Sequence, residues 1–263
     1  MAAIQEQLAA IWKLRYFWLS LVRMDLQTRY RQSWLGIGWS LLHPIAMTVV
    51  LCTVFHKLFG LDLREYAPSI LAGLCFWNYL TTITTQGCQC LLRGEPYIRQ
   101  YPCPIAIYPL RVALGGMFHL LVALAVVIVL KWCLTGFGNP LALFSLIPAL
   151  VLLFVFGWAL AVLAGFANAC FPDTQHLCTV ALQILFYTTP IIYPAAMLHA
   201  RGLGWIVTWN PLAACLALIR EPILAGRVAS LHDLGLVAAT ATAAFGAAIV
   251  TLLRLQRTIV FRL

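Results

Sequence analysis

Long apolar stretches broken by short charged or proline-bearing turns set the rhythm of this chain. Each stretch holds roughly 20 residues, the length a helix needs to cross a hydrocarbon core of about 30 Å. Strands of a membrane barrel would instead alternate apolar and polar residues over about ten positions. The pattern predicts an all-α polytopic membrane protein with six transmembrane helices, over 36–59, 67–91, 108–130, 141–169, 177–197 and 234–253. Pro44 removes a backbone donor inside the first span and predicts a kink there. Pro190 and Pro194 fall near the far end of the fifth.

Three segments depart from this rhythm. In residues 8–30 the apolar set Leu8, Ile11, Leu14, Trp18, Leu21 and Val22 recurs at three- and four-residue steps among basic residues. Residues 1–34 are therefore expected to form an amphipathic helix in the headgroup plane, ahead of a transmembrane domain at 35–263. Residues 92–107 are charged and punctuated by Pro96, Pro102 and Pro104, polar enough to leave the membrane and long enough for a short helix. Residues 198–233 carry Arg201, Arg220, Glu221, Arg227 and Asp233, with prolines at 211 and 222. Their apolar pieces are too short to span and read as interfacial or re-entrant helices.

Composition agrees with a lipid-facing surface. Apolar residues make up 63% of the 263 and charged ones 10%, against about 25% charge in soluble domains. The net charge of +9 reads as cytoplasmic loops and anionic headgroups rather than nucleic acid, because no basic patch lies on a segment that could fold outside the bilayer. With the amino terminus inside, eleven basic residues fall in inside segments and six outside, so both termini are predicted cytoplasmic. The nine cysteines lack zinc spacing, lie mostly in apolar runs and are expected to be unpaired thiols. The first 30 residues carry basic side chains throughout and do not read as a cleavable signal.

Catalytic patterns are missing. There is no phosphate-cradling GxxxxGK[ST] and no HExxH. The six histidines are solitary, and no acidic pair is spaced for a shared metal or for acid–base work. The chain reads as a conduit or scaffold without a cofactor of its own, drawing energy from elsewhere.

The stretch from Asp25 to Pro44, with Arg29-Tyr30-Arg31, Leu35-Gly36, Trp39 and Pro44, resembles the entry to the first span of bacterial polysaccharide exporter permeases. These are membrane subunits of ABC-type exporters for O-antigen, capsule and teichoic acid. Tyr101-Pro102-Cys103-Pro104-Ile105 to Pro109-Leu110 is similar to the segment after the family's second span. So are Phe171-Pro172-Asp173-Thr174-Gln175, leading to Thr189-Pro190-Ile191-Ile192-Tyr193-Pro194, and Trp209-Asn210-Pro211-Leu212 with Arg220-Glu221. Cys103 stands where the family often has a basic residue, and Pro172 replaces one before Asp173.

The resemblance implies a homodimer in the bacterial inner membrane, bound to two copies of an ABC ATPase that carries the ATP and Mg, and moving a polyprenyl-diphosphate-linked glycan. It implies that residues 93–100, with Arg93, Glu95, Tyr97 and Arg99, couple to the ATPase, and that 205–226 form short helices toward the outer leaflet. Arg29, Tyr30 and Arg31 read either as anchors to anionic lipid headgroups or as a fork onto the substrate diphosphate. Phe76, Trp77, Tyr79, Phe186, Tyr187 and Tyr193 read either as interfacial bulk or as a stacking path for sugar rings. Trp209, Asn210, Arg220 and Glu221 form a candidate outer gate, with a local Arg220–Glu221 ion pair as the plainer alternative. An exporter of a drug or small lipid, and a membrane enzyme acting on polyprenyl-linked sugars, are the rival functions.

Overall fold

The computed structural model describes residues 9, 11–30, 36, 38–59, 62–100, 103–136 and 138–259. Among them every regular element is helical: α1 (Arg15–Tyr30), α2 (Gly38–Phe59), α3 (Leu63–Gln100), α4 (Ile107–Thr135), α5 (Leu146–Cys170), α6 (Thr174–Thr188), α7 (Ala195–Ala200), α8 (Gly204–Thr208), α9 (Pro211–Arg220) and α10 (Leu231–Ile259). A 3-10 turn over Pro140–Ser145 leads into α5, and a π turn over Glu221–Ala225 follows α9.

Four described segments are long and apolar enough to cross a membrane: Gly38–Lys57, Ile107–Thr135, Pro140–Cys170 and Leu231–Gln256. The remaining two expected spans take other forms. Residues 67–91 lie inside α3, whose 38 residues reach about 57 Å. Its middle carries Asn78, Thr81, Thr82, Thr84, Thr85, Gln86 and Gln89, which lowers its apolar character. α6 has only 15 residues, about 22 Å, less than a hydrocarbon core of about 30 Å. The fifth span expected at 177–197 is not one continuous helix: helix ends at Thr188, and Pro190 and Pro194 bound the break before α7.

The central element is α3, packed against α2, α4, α5 and α6. Small residues bring its backbone close to α5, as at interfaces between membrane helices. A Cβ added at Gly87 would lie 2.8 Å from the Cα of Ala161, and one at Gly165 would lie 3.0 Å from the carbonyl oxygen of Gly87. Tyr79 fills the space beside Gly157 and donates its hydroxyl hydrogen to the Leu153 carbonyl at 2.8 Å. α10 packs on the other side of α5, with Trp158 and Phe245 ring centroids 5.3 Å apart. All nine cysteines are free thiols.

Candidate functional site

α3 carries polar residues at Asn78, Thr82, Gln86, Gln89 and Arg93, three or four residues apart and hence along one face. Two cavities open beside this face. The smaller is lined by Asn78 and Thr82 with Ser40 and Pro44 of α2 and His119 of α4. The larger, about 330 Å³, is lined by Gln86 and Arg93 with Asp25 of α1 and Tyr108, Arg111 and His119 of α4. His119 borders both, so a polar track follows α3 through an otherwise apolar bundle.

At one end of the track Arg111 grips Asp25 with two guanidinium nitrogens, pinning α1 to the start of α4. Such a fork onto a carboxylate fixes orientation as well as distance. Arg93 donates to Gln89 Oε1, and Gln89 Nε2 donates to Gln175 Oε1 at 3.0 Å, which ties α3 to α6. The expected short coupling helix is not a separate element: residues 93–100 are the last turns of α3, with Pro96 inside the helix. Tyr97 meets Phe17 of α1 edge-on at 6.2 Å between centroids. The ring of Tyr108 lies so close to Gly94 that a Cβ there would come within 2.5 Å of it. These last turns of α3 are therefore held by both α1 and α4. The side chain of Arg99, those of Arg29 and Tyr30, and the whole of Arg31 lie outside the described residues.

The aromatic residues separate into two groups. Trp77 and Phe186 rings meet at 5.4 Å, and Phe186 meets Tyr187 at 5.4 Å, joining α3 to α6. Tyr187 is exposed, and its carbonyl accepts from the Tyr193 hydroxyl at 2.8 Å. Phe76 and Tyr79 point into the core, both buried in this conformation.

Among the residues of the expected outer gate, Asn210 caps α9 by accepting from Leu212 N–H at 2.9 Å, and its amide donates to Thr189 Oγ1 at 3.1 Å. Trp209 is exposed and faces the His232 ring at 6.3 Å. Arg220 and Glu221 do not pair with each other. Glu221 holds Arg227, whose pKa is pushed further up by that hydrogen bond. Arg220 instead donates to backbone carbonyls: Ser69 at 3.1 and 2.9 Å, Pro190 at 2.7 Å and Ile191 at 2.8 Å. A cation in an apolar setting is costly unless its hydrogen bonds are met, and here carbonyl dipoles from two segments meet them. Tyr66 adds a bond from its hydroxyl to the Ile192 carbonyl at 2.6 Å.

The sequence reading did not anticipate the polar track, the Asp25–Arg111 bridge or the carbonyl seat of Arg220. The four-residue recurrence of Asn78, Thr82 and Gln86 was the available signal for the first.

A family model described as ABC-2 type transporter matches residues 16–224. The chain is similar to the O-antigen export system permease protein RfbA of Klebsiella pneumoniae, 24% identical over 209 residues, covering 78% of this chain and 79% of the relative. The protein of the same name from Myxococcus xanthus is 25% identical over 209 residues, covering 78% of each. The polysialic acid transport protein KpsM of Escherichia coli is 19% identical over 212 residues, covering 80% of this chain and 81% of the relative.

Proposed function

The chain belongs to the ABC-2 type transporter family, and on that premise we propose that it is the permease subunit of an ATP-driven polysaccharide exporter in the bacterial inner membrane. The observation that carries this reading is the family match over residues 16–224, joined to relatives whose names are those of polysaccharide export permeases. The cargo is a polyprenyl-diphosphate-linked glycan of the O-antigen, capsule or teichoic-acid kind.

In this reading six segments cross the membrane: the four apolar ones, α3, and α6 continued through the break to α7. Both termini face the cytoplasm, and α7 to α9 lie toward the outer leaflet. Two copies of the chain pair, and each binds one ATPase subunit that holds the ATP and Mg. α6 supports a paired arrangement. His176, Thr179, Gln183 and Tyr187 recur along one exposed face, a polar stripe ill suited to lipid and well suited to a hydrated passage. Tyr187, with Trp77 and Phe186 behind it, offers aromatic surface to sugar rings.

Coupling follows from the continuity of α3. A shift of the ATPase against Arg93, Glu95, Tyr97 and Arg99 moves the helix whose polar face borders both cavities. The Gln89–Gln175 bond passes that displacement to α6. A population shift requires the partner to bind one arrangement more tightly than the other, and ATP-driven closure of two ATPase subunits supplies that difference.

Pull-down of the tagged chain in mild detergent tests the reading. A nucleotide-hydrolysing partner is expected at one copy per chain. Arg93→Glu with Glu95→Lys is expected to release it while the permease keeps its elution volume. Recovery of a folded permease with no such partner, under several gentle conditions, would overturn the proposal.

A further inference from the structure

A groove of about 620 Å³ lies between α4, α5 and α10, closed over at one end by Ile11. Its walls are apolar, with Leu110, Val155, Trp158, Val250 and Leu253 among them. From Phe245 to Leu253 it follows α10 for about 12 Å, against about 15 Å for one leaflet's share of the hydrocarbon. All three helices belong to segments able to cross a membrane, so the groove opens among lipid chains. The groove's length matches a hydrocarbon chain from a single leaflet rather than the full core of about 30 Å along which a spanning partner helix runs.

Two cations neighbour the groove's lining residues in the chain. Lys13 follows Ile11 by two residues and Arg254 adjoins Leu253; both are exposed, and neither pairs with an acidic side chain among the described residues. An apolar groove by itself confers little preference, because lipid tails are as apolar as leucine. Selectivity must come from the headgroup, and two cations favour a negative one by about fivefold each.

We propose that this groove is a binding site for one anionic phospholipid, its acyl chain lying along α10 and its phosphate drawn to Lys13 and Arg254. The site is separate from the polar track and independent of which glycan the permease carries.

Gly246 provides the test. It lines the groove, and a Cβ built there meets nothing within 4 Å. A Cβ is thus accommodated without contact, and Gly246→Phe adds a ring at the groove wall. Native mass spectrometry of the detergent-purified chain is expected to find one anionic phospholipid per chain in the wild type. Gly246→Phe is expected to lower that occupancy at least tenfold, with elution volume and melting temperature unchanged. Lys13→Gln with Arg254→Gln, outside the packed bundle, is expected to remove most of the preference for phosphatidylglycerol over phosphatidylethanolamine in vesicle exchange. Equal retention in Gly246→Phe and wild type would overturn the proposal. So would a preference untouched by the double charge variant, a bound polyprenyl phosphate in place of phospholipid, or loss of self-association in Gly246→Phe, which would make the groove an interface between copies.

Discussion

α3 and α5 meet backbone to backbone, whereas α2 and α6 show most of their surface. At the first interface Gly87, Ala161 and Gly165 let two helices approach until a single methyl group is too much. Along α6, by contrast, Leu182 is the one residue buried, and Val180, Ile184 and Tyr187 stand open. α2 likewise exposes Trp39, Met47, Val50 and Val54. Both pairs are drawn from one membrane-embedded chain, so hydrophobicity does not explain the difference. Packing by small residues closes one interface, while on the proposed reading the open helix with its polar stripe faces a second copy and the passage between them.

Substitutions sort by which side of this contrast they touch. The largest effect is expected at the closed interface: Gly87→Leu drives a side chain into the backbone of α5 and should cost about 3 kcal/mol or more. Loss of folded protein by fluorescence size exclusion would register it, and a normal profile would break the distinction. Next comes Arg220→Leu, which strands the carbonyls of Ser69, Pro190 and Ile191. About 3 kcal/mol is expected, read as a lowered melting temperature. Arg220→Lys should recover only part, since an ammonium lacks the planar fork. The Asp25–Arg111 bridge should show a coupling of about 1–2 kcal/mol in a double-mutant cycle of Asp25→Asn and Arg111→Gln. The smallest change in stability is expected on the open side: Gln183→Leu should stay within about 0.5 kcal/mol. The same variant should cut glycan export in vivo, and intact export would remove the α6 stripe from the passage.

What could be foreseen from sequence follows the range of the interactions involved. Long apolar runs are a local property, so the all-helical architecture and the spans at α2, α4, α5 and α10 were legible from residue order alone. The fifth expected span, Leu177 to Met197, is mostly apolar by residue order, but its helix ends at Thr188, ahead of Pro190 and Pro194. Residues 93–100 were expected as a separate helix and are instead the end of α3, because Pro96 does not end it. Contacts between distant residues left no such trace. Asp25 and Arg111 stand 86 positions apart, and Arg220 and Ser69 stand 151 apart. Arg220 beside Glu221 suggested a neighbourly ion pair, yet the carboxylate turned to Arg227 and the guanidinium to the backbone.

The seat of Arg220 also bears on how the chain is made. Every group it requires, the Ser69 carbonyl, the space above Gly73 and the carbonyls of Pro190 and Ile191, is synthesised before Arg220 itself. Synthesis runs from the amino terminus, so the acceptor groups are already made when α9 emerges. The charged segment can then be taken up on arrival, with no interval in which a naked guanidinium must wait in lipid. Moving this arginine upstream of its acceptors, by circular permutation for instance, would deprive the cell of that order even though the finished contacts were the same.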